Sequence, residues 1–194
     1  LKVEKFDKSG FPLYEFSLDK HFYIHSDNLR EIAKLCEGVD IQFHLPVEND
    51  ISISAERGWN VGIEGHHDFV IERFLLLEKM YNMFAFPKVI TMHPPVVFVG
   101  KRKLDEEEII KNAKIFFDRL DFIRTKFCHK TKIALENMTD IKTKAGNLGY
   151  LPRHFKKMLQ DTKSIGLTID TGHRRLAQEF RVRDFIALGT PFVN

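Results

Sequence analysis

The feature that most constrains the fold of this chain is a parity shared by its strand-like runs. Side chains alternate faces along a β-strand. In Val39–Leu45, Val39, Ile41, Phe43 and Leu45 share one face, and Asp40, Gln42 and His44 the other. In Lys88–His93, Ile90 and Met92 oppose Val89, Thr91 and His93. In Thr131–Glu136, Ile133 and Leu135 oppose Ala134 and Glu136, and in Ile165–Asp170, Ile165, Leu167 and Ile169 oppose Gly166, Thr168 and Asp170. One face is greasy and the other small or polar. A central strand of an open sheet covered on both sides is apolar on both faces. The observed pattern suits a sheet whose greasy face meets helices and whose other face looks into a barrel.

Long helix-period runs separate these strands. In Glu106–Phe127, Ile109, Ala113, Phe116, Leu120, Ile123 and Phe127 recur at steps of four and three, one face of a helix. Asp105 is placed to cap it, with Glu108 three residues on and Leu104 positioned to staple onto Ile109. Phe69–Phe84 has the same period through Val70, Phe74, Leu77, Tyr81 and Phe84, and Asp27–Cys36, Pro152–Asp161 and Arg174–Leu188 also read as helices. With Lys2–Phe6 and Pro191–Asn194 as further strands, the alternation implies a parallel sheet with crossover helices. An open doubly wound sheet and a closed barrel compete. No Gly-rich phosphate loop follows any strand, so the dinucleotide and Walker fingerprints are absent and the barrel is favoured.

Composition bounds the class. The 194 residues, 43% hydrophobic and 29% charged, suffice for one domain with a sizeable core and exclude collagen-like, disordered and disulfide-scaffold chains. The 18 phenylalanines are expected mostly in that core. No apolar run approaches the roughly 18–20 residues of a membrane span, and no secretory leader is visible, so a cytoplasmic location is expected. Cys36 and Cys128 read as buried free thiols. A net charge of +3 is too weak to argue for nucleic acid by itself.

Each polar row ends in a potential metal ligand: His44, His93, Glu136 and Asp170, spaced 49, 43 and 34 residues apart. His173 follows Asp170 across the turn Thr171-Gly172. Barrel active sites lie at the C-terminal ends of the strands, so these residues can converge on one mouth. Histidines with carboxylates in that number suit Zn²⁺, Mn²⁺ or Fe²⁺. The other histidines carry no such pattern. His66 and His67 are expected at the surface or at a helix cap, and His21, His25, His129 and His154 show no partner spacing. Lys101, Arg102 and Lys103 form a basic run that is either a solvated loop or a phosphate contact, and Trp59 is either a lid residue or loop packing.

Phe43-His44-Leu45-Pro46, Thr91-Met92-His93-Pro94-Pro95, Ala134-Leu135-Glu136-Asn137 and Gly166-Leu167-Thr168-Ile169-Asp170-Thr171-Gly172-His173 resemble the xylose isomerase-like TIM-barrel superfamily. That group includes sugar and sugar-phosphate isomerases and epimerases and the endonuclease IV-type apurinic nucleases. The resemblance implies an α/β fold with a (β/α) TIM-barrel-like parallel sheet over residues 1–194, an incomplete barrel without the first strand–helix unit and the last strands. It implies that Glu136 and Asp170 are metal ligands, that His173 is a ligand or substrate contact, and that His44 and His93 match zinc ligands of the nuclease branch. Met138-Thr139-Asp140 after Asn137 and Pro94-Pro95-Val96 after His93 depart from the nuclease pattern. The expectation is therefore a divalent-metal sugar or sugar-phosphate isomerase or epimerase, with Glu136 and His173 catalytic. The alternatives are an apurinic-site zinc phosphodiesterase acting on DNA, with Lys101–Lys103 at the phosphate, and a non-catalytic relative that binds metal.

Overall fold

The computed structural model describes residues 13–17, 34, 40–44, 60–84, 88–99, 102–127, 129–138, 148–170, 172–173 and 182–188. In chain order these form β1 (Leu13–Ser17), β2 (Asp40–His44), a 3₁₀ turn (Glu64–His66), α1 (His67–Phe84), β3 (Val89–Met92) and the short strands β4 (Phe98–Val99) and β5 (Arg102–Lys103). Then follow α2 (Glu106–Lys126), β6 (Lys132–Glu136), α3 (Pro152–Met158), β7 (Ile165–Thr168) and α4 (Val182–Ile186).

Strands β1, β2, β3, β6 and β7 form one sheet in that order, with every pair parallel. A doubly wound sheet reverses its strand order at a switch point. This sheet advances in one direction, the order of a (β/α) barrel. The register puts Phe43, Ile90, Ile133 and Ile165 side by side, and Met92, Leu135 and Leu167 in the next greasy row. All seven are buried and share one core with Phe74, Phe116, Phe117 and Leu120 of the helices. Each such side chain contributes about 1.5–3 kcal/mol by leaving water. Val89 and Ala134 form a separate buried pair on the opposite face. The parity read from the sequence thus corresponds to two physically distinct faces.

The sheet is strongly curved. Strands two apart in a flat sheet lie about 9.5 Å apart. Yet Thr91 of β3 and Thr168 of β7 bring their hydroxyls to 3.5 Å across Ala134 of β6. Only a sheet bent toward that face, with a small residue between, allows the contact.

The helix starts follow their sequence signals. Asp105 Oδ1 accepts from Glu108 N at 2.9 Å, a cap worth about 1 kcal/mol. Ile109, Ala113, Phe116 and Leu120 are buried as their period requires, but Phe127, at the C-cap of α2, is 63% exposed. Of the two expectations for His67 the structure shows the helix start rather than the surface: it opens α1 and is buried, its Nε2 2.9 Å from the Val61 carbonyl. β1 lies outside all the strand-like runs identified above; its alternation of Tyr14 and Phe16 with Glu15 and Ser17 spans only five residues. Lys2–Phe6, Pro191–Asn194, most of Asp27–Cys36, Trp59, Lys101, Cys36, Cys128, His21, His25 and Thr171 lie outside the described residues. No helix among the described residues is long and apolar enough to cross a membrane.

Candidate metal centre

His44 is the last residue of β2, Glu136 the last of β6, His93 follows β3 directly, and Asp170 stands two residues beyond β7. The curvature of the sheet gathers all four. Glu136 is the hub. Its Oε2 lies 2.9 Å from His44 Nε2 and 3.2 Å from His93 Nε2, and its Oε1 lies 3.3 Å from His173 Nδ1. His173 Nδ1 also lies 3.7 Å from Asp170 Oδ2. The rings of His44 and His93 meet edge to face at 4.7 Å. These contacts join β2 to β6 across the intervening β3, which the inward bend again requires.

Glu136 is 6% exposed. Burial alone raises a carboxyl's pKa. Hydrogen bonds from His44 and His93, with the charge of those rings, more than reverse that and hold the carboxyl well below the usual carboxylate range. These contacts favour the ionised form of a carboxyl that is itself largely removed from water.

Among the described residues, two sets of side chains could each hold a metal ion: His44, His93 and Glu136, and Glu136, Asp170 and His173. Within each set the candidate ligand atoms all lie within 4.8 Å of one another. Imidazole nitrogens mixed with carboxylate oxygens suit Zn²⁺, Mn²⁺ or Fe²⁺ better than an all-oxygen ion such as Mg²⁺ or Ca²⁺. His93 Nδ1 is buried and has no hydrogen-bond partner among the described residues. The donor set thus fits the ion that the sequence pattern implies.

A second tier of polar residues escaped the sequence pattern. Asn137 is 2% exposed and reaches from β6 to the turn that follows β7. His154 is fully buried: its Nδ1 accepts from Gly149 N at 3.1 Å, and its Nε2 lies 3.2 Å from Glu106 Oε1. At the opposite, N-terminal end of the strands, Arg124 of α2 pairs with Glu78 of α1 and donates to the Thr131 carbonyl and to Ser164 Oγ. His129 Nδ1 is 2.7 Å from Glu78 Oε2. No spacing rule marks such residues, because their partners lie 5 to 51 positions away on other elements or loops. Arg102 and Lys103 are exposed on β5.

No family model matches the chain. No curated protein matches it either. Among solved structures it is similar to a D-tagatose 3-epimerase-like protein, with a TM-score of 0.65 and 21% sequence identity over 85% of this chain. The chain spans 58% of the length of that protein. The likeness, together with the one-directional order of parallel strands, shows that the chain has an α/β, TIM-barrel-like fold.

Proposed function

We propose that the chain carries the metal centre of a divalent-metal-dependent sugar or sugar-phosphate isomerase or epimerase. The observation that carries this is the buried carboxylate of Glu136, kept ionised by His44 and His93 and sharing the mouth of the strands with Asp170 and His173. The likeness to a D-tagatose 3-epimerase-like protein supports the same class.

Glu136, Asp170 and His173, with His44 and His93 beside them, would hold the ion; when bound it would polarise adjacent substrate oxygens and stabilise an enediolate. Glu136 is the proton acceptor. A carboxylate at the mouth of the strands can take a proton from the carbon next to a carbonyl and return it. His173 orients the substrate oxygens from the turn after β7. The chain as a whole is proposed as one domain, 1–194, with a small-molecule sugar as partner.

The experiment is solvent exchange. Protein loaded with Mn²⁺ or Zn²⁺ is incubated with ketoses and ketose phosphates in D₂O, and deuterium at the carbon next to the carbonyl is followed by NMR. Incorporation that disappears in Glu136→Gln is the expected result.

One observation favours a second reading. Glu136 turns one oxygen to His44 and His93 and the other to His173, so a single carboxylate links two potential ion sites. That is the arrangement a multi-zinc phosphodiesterase requires, since each ion needs three or four ligands or bridges. Cleavage of an abasic-site duplex with no exchange into any sugar would replace the first reading with this one.

A further inference from the structure

Strand β6 leaves the β7 ladder at the point where the site begins. Glu136 pairs with Thr168, and Asn137 N donates to the Thr168 carbonyl at 3.2 Å. Beyond that rung the Asn137 side chain continues the pairing. Its Oδ1 accepts from Asp170 N at 2.6 Å and its Nδ2 donates to the Asp170 carbonyl at 3.0 Å. Both faces of the amide are spent on one backbone residue, as a peptide group would spend them. Asp170 is thereby held to β6 two residues after β7 has ended. The Asp170 carboxylate in turn shapes the following turn, its Oδ1 accepting from Gly172 N at 2.5 Å and His173 N at 3.0 Å.

The main chain of Asn137 acts on His173. Its carbonyl lies 2.9 Å from His173 Nδ1. Among the described residues, Glu136 Oε1 at 3.3 Å and Asp170 Oδ2 at 3.7 Å also lie near that nitrogen. All three are oxygen acceptors, so Nδ1 must carry a proton, and in the neutral ring the lone pair sits on Nε2.

We propose that Asn137 is a positioning residue: its side chain sets Asp170 and the turn that carries His173, and its carbonyl holds the His173 ring with Nδ1–H toward the main chain and the lone pair on Nε2. The importance of this rests on the reading of Glu136, Asp170 and His173 as one centre, but the geometry is testable without it. Groups that orient ligands from behind are worth about 10–100-fold in metal affinity.

The test has a metal-free arm and a metal arm. In metal-free, ¹⁵N-histidine-labelled protein at mildly alkaline pH, where imidazole is neutral, two-bond ¹H–¹⁵N correlations identify which nitrogen of His173 is protonated. Wild type is expected to show the Nδ1–H form alone. Asn137→Ala keeps the carbonyl but releases Asp170 and the turn that carries His173, so the ring is expected to move off that carbonyl and give a mixture of the two tautomers. Asn137→Asp keeps the acceptor for Asp170 N and loses the donor to its carbonyl; it is expected to fall between them, and it is the variant to use if Asn137→Ala does not fold. Wild type protonated on Nε2, or a folded variant with the wild-type tautomer, overturns the proposal. In the metal arm, Mn²⁺ and Zn²⁺ affinities are measured by calorimetry, beside Ile133→Val as a core variant that loses stability without touching the site. The expected result is a 10–100-fold loss in the Asn137 variants and none in Ile133→Val; equal losses in all overturn it. A wild type that binds no metal, with the tautomer still changed by Asn137→Ala, removes the functional reading and leaves the positioning role standing.

Discussion

Glu136 shows how a residue's position in a strand decides its chemistry. Residues of its parity in β6 are small or polar, and Ala134 beneath it clears the space that lets His44 and His93 reach it from neighbouring strands. This much was legible in the sequence, because strand parity fixes the face and the strand end fixes the height. What was not legible is which oxygen meets which ring, since that depends on curvature. The split between the two oxygens leads to a residue-level expectation. His44→Ala should leave one tightly held ion on Glu136, Asp170 and His173, measured as metal per protein after dialysis. A loss of all metal in that variant would mean that the His44 side is the principal site. Asn137 was equally illegible in its role: it stands in one of the segments that carry the resemblance, but its partner, Asp170, lies 33 residues away.

At the scale of elements, the loops at the mouth are fixed by residues that bear no motif. The segment before α3 is clamped from three sides. Leu148 N donates to Pro95 O at 2.9 Å, Met138 N donates to Gly149 O at 3.1 Å, and Gly149 N donates to His154. Gly149 has φ of +89°, and a Cβ there would stand 2.4 Å from the Pro94 ring. Gly149→Ala is therefore expected to lower the unfolding free energy by about 2 kcal/mol or more, from left-handed strain plus the clash, as measured by urea unfolding. His154 makes this clamp pH-sensitive. Burial, opposed by Glu106 and helped by Arg153, lowers its pKa from 6.5 to about 4. The folded state then holds fewer protons than the unfolded state between those values, so stability is lost as pH falls through that window, by up to about 3 kcal/mol. His154→Gln should flatten the dependence between pH 6.5 and 4; an unchanged slope would show that another group carries it. At the other end of the strands, Arg124 joins α1 and α2 to the residues before β6 and β7. Arg124→Met leaves Glu78 buried without that guanidinium, and a loss of about 3–5 kcal/mol is expected. No decrease in urea midpoint would mean that His129 alone satisfies Glu78. Helix periodicity gave α1 and α2 correctly but could not mark these ties, because Arg124 and His154 occupy positions where the sequence shows only a polar residue on an otherwise ordinary helix.

For the molecule as a whole, the alternation of strands and helices left two architectures open, and the one-directional strand order decides for the barrel-like one. Its consequence is that side chains contributed by four strand ends and one turn face a common mouth, while the opposite end carries the Arg124 network. The central claim is that this mouth is a divalent-metal centre organised by Glu136. It is tested most directly by stripping the protein with chelator, reloading it with Mn²⁺ or Zn²⁺, and measuring bound metal and melting temperature for wild type and Glu136→Gln side by side. The expected result is at least one ion per wild-type chain with a raised melting temperature, and neither in Glu136→Gln. Equal metal content in the two proteins, or no metal-dependent stabilisation of the wild type, would contradict it.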